Sequence, residues 1–144
     1  MIPLAVLVLG SFGLRLAGFA GVEAFDGWQP ALRGGLTAML VLTASAHFAS
    51  RRAELIAMVP RRLPAPAALV TATGLLELAV AAGLVFTVTA PFAAVGLVLL
   101  LVAMFPANVR AARAGLTFGG KAVPRLQLRT AIQVAFLVAA TAAI

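Results

Sequence analysis

The sequence predicts an all-α protein, a polytopic transmembrane helical bundle of five spans. Three observations predict it. The chain of 144 residues is 63% hydrophobic and only 10% charged, whereas a soluble domain is about 45–50% apolar and about 25% charged. So much apolar surface cannot be hidden in one small water-soluble core, but lipid can cover it. The apolar residues fall in five stretches, each close to the ~20 helical residues that a ~30 Å hydrocarbon layer demands. The basic residues gather in the two connections that five spans place on one side.

The stretches run over about 2–20, 31–48, 67–88, 91–109 and 126–144. None alternates polar with apolar residues as a membrane β-strand would, and together they leave no room for a second domain. The first is read as a retained span and not as a cleaved signal peptide. Val22-Glu23-Ala24 has small residues near a cleavage point, but no basic residue precedes Arg15, and a signal peptide opens on positive charge. On the third span, Ala79 and Gly83 form a small-xxx-small face expected to meet another helix.

The connections set the orientation. The second holds Arg51, Arg52, Arg61 and Arg62 against Glu54, and the fourth, from Arg110 to Arg125, adds Arg113 and Lys121 with no acid. The first carries Glu23 and Asp26 instead. The positive-inside bias places the two basic connections in the cytoplasm, the amino terminus inside and the carboxyl terminus outside, in an inner or plasma membrane. Within the second connection, residues 53–59 read either as a short interfacial helix or as a solvated loop with snorkelling arginines.

Composition also narrows the chemistry. With no cysteine, disulfides, thiolate metal sites and a dithiol pair are excluded. The net charge of +7 is concentrated in the connections and forms no basic face with interleaved aromatics, so no nucleic-acid partner is expected. The acids are too scattered for a metal site. The lone histidine excludes a bis-histidine haem within the chain, leaving His47–Met104 as the one conceivable axial pair. Gly115 to Lys121 satisfies the spacing of a phosphate loop, but Ala122 stands where its Ser or Thr should be and Pro124 follows. That segment reads as a flexible basic loop.

Polar groups inside spans are the candidate site residues, because each is costly unless paired or facing a cavity. At ~1.5 Å rise per residue, Glu77 lies ~15 Å from the basic edge of its span, near the midplane, and Gln133 lies ~10 Å deep. His47 closes the second span, while Asn108 and Arg129 sit near the same boundary on the fourth and fifth. Thr43 stands one turn from His47, and Thr73 one turn from Glu77. These residues mark either a polar cavity opening inward or a network of interhelical hydrogen bonds. A midplane carboxyl group must be protonated, paired or wet; Thr73, Gln133 and Arg15, whose long side chain lies ~20 Å along the first span, are its expected partners. Arg15 also fits an outer-interface snorkel.

The motifs carry a resemblance. Ala31-Leu-Arg-Gly-Gly-Leu-Thr-Ala-Met39, Ala46-His-Phe48, Met58-Val-Pro60, Leu63-Pro-Ala-Pro66, Thr73-Gly-Leu-Leu-Glu-Leu78, Phe105-Pro-Ala-Asn-Val109 and Leu128-Arg129 with Gln133 occur in the order of DoxX-like (DoxX/DoxD) membrane proteins. The sequence resembles that family over residues 31–144, which implies a four-helix core with an added amino-terminal span. The resemblance maps the family's polar positions onto His47, Glu77, Asn108 and Gln133. Some members are associated with thiosulfate:quinone oxidoreduction and others with redox-stress partners. The implied function is a quinone- or lipophile-binding subunit or anchor, with a protein partner or a second copy, no intrinsic cofactor and quinone as the implied ligand. A small proton-coupled exporter using Glu77 is the second reading. An isolated membrane enzyme is the third, disfavoured by the sparse set of acid, base and nucleophile groups.

Overall fold

The computed structural model describes residues 2–144. Its regular structure is all helical but for one hairpin of two two-residue strands. Helix α1 covers Ile2–Phe19, a 3₁₀ turn follows at Glu23–Phe25, and α2 covers Trp28–Phe48. The short α3, Arg52–Met58, leads into α4, Pro66–Val85, and α5, Ala90–Arg113. Strands β1, Thr117–Phe118, and β2, Lys121–Ala122, precede α6, Leu126–Ala142.

Three of these helices, α1, α4 and α5, are long and apolar enough to cross a membrane. Helix α2 has the length, with 21 residues, but Gln29, Arg33, Thr37, Thr43, Ser45 and His47 dilute its apolar character. Helix α6 has 17 residues, or ~25 Å at 1.5 Å per residue, short of a ~30 Å hydrocarbon core. Helix α5 overruns its expected end at 109 by continuing through Pro106 to Arg113.

Helices α2, α4, α5 and α6 touch in a closed cycle, and α1 packs chiefly on α2. Small residues make these seams possible. A Cβ on Gly35 of α2 would lie 2.1 Å from Ser11 Oγ of α1, and one on Gly83 of α4 would lie 2.8 Å from the Ala93 Cβ of α5. The expected Ala79–Gly83 face is therefore only half a contact, because Ala79 is exposed. The α4 stripe that is buried instead is Val70, Gly74, Glu77, Ala81 and Leu84, whose i+3/i+4 spacing lines one helix face.

The apolar core combines Leu36, Met39 and Leu40 of α2 with Ala81 and Leu84 of α4, Ala94 and Leu97 of α5 and Ala140 of α6. It fills the half of the molecule away from α3 and the hairpin. Of the buried polar side chains, His47, Glu77 and Gln133 lie in the other half, while Ser11 packs against Gly35.

The two basic connections lie at one end and dock on each other. Gly119 N–H donates to Glu54 Oε2 of α3 at 2.7 Å, and Arg51 pairs with Glu54 at 3.4 Å. The segment expected as a flexible loop is thus a β-hairpin held to a helix. Its turn residues Gly119 and Gly120 have φ of +66° and +73°, the left-handed pair that a tight hairpin turn requires and glycine supplies without strain. Met58 and Val59 are buried, so α3 packs an apolar edge inward, and Arg110 of α5 donates to the Val59 carbonyl.

Candidate functional site

The buried stripe of α2 runs through Ala31, Gly35, Leu36, Met39, Leu40, Ala44 and His47, and it faces the Glu77 stripe of α4. Both ionisable side chains therefore lie on the faces that the two helices bury against each other. His47 and Glu77 are 3% and 5% exposed, and His47 Nε2 stands 3.4 Å from Glu77 Oε1. Thr43 Oγ1, one turn back on α2, donates to Glu77 Oε2 at 2.6 Å.

The other ring nitrogen fixes the tautomer. His47 Nδ1 lies 2.7 Å from the Val70 carbonyl oxygen, which can only accept, so Nδ1 carries a proton and donates it. Thr73 Oγ1 sits 3.3 Å from the same nitrogen and turns its own hydroxyl toward the Leu69 or Val70 carbonyl. With Nδ1 protonated, one further proton placed between Nε2 and Oε1 satisfies both atoms. The pair is then either imidazolium with carboxylate or imidazole with carboxylic acid, and the net proton count is the same. Two helices enclose the pair.

Arg52 frames this pair from the connection. It donates to the His47 carbonyl at 2.9 Å, to the Ala67 carbonyl at 3.0 Å and to Thr71 Oγ1 at 2.8 Å. One guanidinium thus closes the end of α2 onto the start of α4. Sequence reasoning treated Arg52 only as a topology signal and passed over Thr71. A basic residue just beyond a helix end, where carbonyls lack partners, was the available clue.

The remaining candidates form a second network. Arg129 of α6 donates to Asn108 Oδ1 of α5 at 2.5 Å, and Gln133 Nε2 donates to the Leu101 carbonyl at 2.6 Å. Pro106 stands inside α5, and a helix interior proline removes one backbone donor and bends the chain. Gln133 supplies a donor to the same stretch.

The seven polar residues therefore divide into Thr43, His47, Thr73 and Glu77 on the α2–α4 seam and Asn108, Arg129 and Gln133 on the α5–α6 seam. Each expected partner of Glu77 is engaged elsewhere: Thr73 on His47, Gln133 on Leu101, and Arg15 on Asp26 at 3.4 Å at the other end of α2. Arg15 also lies 3.7 Å over the Phe19 ring. An apolar cavity of about 280 Å³ lies between α4 and α5, lined by Leu76, Val80, Gly96, Leu99, Leu100 and Ala103. Val80 stands one turn from Glu77 on α4 and Leu76 precedes it, so this cavity lies on the face of α4 that adjoins the pair.

A family model described as a domain of unknown function, DUF8561, matches residues 36–144. The chain belongs to the DUF8561 family. The matched region begins inside α2 and takes in both polar networks, α3 and the hairpin, while α1 precedes it. No curated protein and no solved structure matches this DUF8561 chain.

Proposed function

We propose that this DUF8561 protein is a five-span membrane protein of DoxX-like architecture that binds a quinone or another lipophile with hydrogen-bonding oxygens. In this reading it is a small subunit or anchor beside a redox partner, and not an enzyme by itself. Helices α2 and α6 complete the five spans with α1, α4 and α5. The basic end faces the cytoplasm, the amino terminus is inside and the carboxyl terminus outside, in the inner or plasma membrane.

One observation carries the reading, the buried His47–Glu77 pair with Thr43. An ionisable pair kept inside an apolar assembly is expensive and marks ligand or proton pathways more often than architecture. An N–H or O–H group of these side chains would donate to a carbonyl oxygen of a lipophile. The apolar cavity on the adjoining face of α4 supports a tail beside it.

The test is mass spectrometry of the lipophiles retained by the full chain in mild detergent. A quinone should copurify with the wild-type protein and be lost from His47→Ala and Glu77→Ala. Equal retention by all three would overturn the reading. The same buried carboxyl group favours a second reading, proton-coupled export. Glu77-dependent proton flux in reconstituted vesicles, with no lipophile retained, would support it instead.

A further inference from the structure

We propose that the basic end of the protein holds a built site for the phosphate headgroup of one anionic phospholipid. A cavity of about 520 Å³ is lined by Pro60, Arg61, Arg62, Phe105, Pro106, Val109, Arg110 and Arg113. Four guanidiniums from two separate segments, the α3–α4 connection and the end of α5, border one space. The inference rests on the membrane reading above.

Charge bookkeeping across the whole chain makes the site unusual. The sequence has four acidic side chains, and none is free to serve these arginines. Asp26 faces Arg15, Glu54 faces Arg51, Glu77 faces His47, and Glu23 lies in the 3₁₀ turn at the opposite end. Among the described residues, no carboxylate comes within ion-pair distance of Arg61, Arg62, Arg110 or Arg113. Like charges gathered without a counterion repel one another, so the arrangement is completed by an anion from outside. Guanidinium is suited to that task, since its fork of donors matches phosphate oxygens.

The other lining residues choose between a free anion and a lipid. Phe105, Pro106 and Val109 form an apolar wall, which a hydrated inorganic phosphate would not use. Val102 and Leu99 continue that wall along α5 at i, i+3 spacing, and they are 57% and 65% exposed. A chain leaving a headgroup at the arginines would run down this track into the hydrocarbon. Arg110 is anchored by the Val59 carbonyl, so one wall of the site is preset by α3. Basic pockets between membrane helices on the cytoplasmic side take anionic headgroups for these reasons.

The bland alternative is diffuse attraction of a basic loop to an anionic leaflet, which depends on charge count and not on place. The full chain in a neutral detergent is titrated with phosphatidylglycerol, phosphatidylcholine or inorganic phosphate and read by native mass spectrometry. One phosphatidylglycerol should stay bound, with phosphatidylcholine weaker and phosphate unable to displace it at millimolar concentration. The double variant Arg62→Gln/Arg113→Gln, which alters two exposed side chains, should bind it roughly thirtyfold more weakly, the loss expected for two basic residues near an anionic surface. Lys121→Gln/Arg125→Gln removes the same charge outside the cavity and should leave binding unchanged. Equal loss in both double variants, or no preference over phosphatidylcholine, would overturn the site. Displacement by inorganic phosphate would overturn the lipid and leave a free anion as the ligand. Release of the wild-type chain from membranes by alkaline carbonate would overturn the membrane reading itself, an outcome separate from the lipid titration.

Discussion

Gly74 and His47 meet so closely that a Cβ on the glycine would lie 2.6 Å from the Cβ of the histidine and 2.9 Å from the Phe48 ring. The backbone of α4 therefore passes the histidine with no room for a side chain, and this approach brings Val70 and Glu77 within reach of the imidazole. Gly74→Ala should push the helices apart and lower stability by about 1–3 kcal/mol, the usual cost of overpacking. Thermal unfolding in detergent measures it. Gly13→Ala is the control, because nothing lies within 4 Å of a Cβ there, and its melting temperature should be unchanged or slightly raised. Equal melting temperatures for the two variants would show that the close approach is not needed.

The hairpin offers a second test. Glu54 is the one carboxylate at the basic end and it holds the Gly119 N–H. Glu54→Ala removes that acceptor and the partner of Arg51 without touching either buried network. Cleavage by trypsin after Lys121 should become several-fold faster, while the melting temperature should move little, since loops open with a small fraction of the global free energy. Unchanged cleavage would mean that the hairpin is held by its own turn alone.

Much of this architecture was legible in the sequence, for reasons that differ by element. The long helices announced themselves through length and apolarity, and each lies where the apolar stretches lie. Glu77 and His47 stood out because a polar residue within an apolar run has few explanations. Which residue each one touches was not legible. Depth along a helix is read from counting, but the direction a side chain faces depends on which helices are neighbours, and depth offered Arg15 as a partner for Glu77 of α4 although it binds Asp26 beyond the end of α1. The split into two networks follows the same logic, since α2–α4 and α5–α6 are separate seams that a depth count superimposes. The hairpin was missed because its two strands are each two residues long; the Gly119-Gly120 pair was its only local mark.

The α5–α6 seam can be tested through Gln133. Its amide donates to the Leu101 carbonyl, close to the bend expected at Pro106. Gln133→Leu keeps the volume and removes the donor, so it should cost about 0.6 kcal/mol and at most about 1.7, the range for interhelical hydrogen bonds within membrane proteins. Asn108→Leu deletes the partner of Arg129, which leaves a half-buried cation without its acceptor and should cost more. Thermal unfolding of the two variants ranks them, and the reverse order would show that Arg129 reaches water or lipid headgroups when Asn108 is gone.

The last prediction concerns what Glu77 is coupled to. Its oxygens serve His47 Nε2 and Thr43 Oγ1, and Arg15 is bound to Asp26 at the far end of α2. Glu77→Ala strips both buried partners at once and should lower stability by on the order of 1–3 kcal/mol, the desolvation cost of groups left unpaired. Glu77→Gln should keep most of that stability, because an amide can turn its NH₂ toward Nε2 and its oxygen toward the threonine hydroxyl. Double-mutant cycles then separate the possible neighbours. Glu77→Ala with His47→Ala should depart from additivity by about 0.5–3 kcal/mol, whereas Glu77→Ala with Arg15→Leu should add within about 0.5 kcal/mol, as residues without shared partners do. Coupling to Arg15 larger than coupling to His47 would mean that α1 lies against α4 and that the seam described between α2 and α4 is wrong. Unfolding in detergent at fixed pH, with all five variants measured together, gives the result directly: a strong His47 term and a negligible Arg15 term identify the pair as a unit held by two helices.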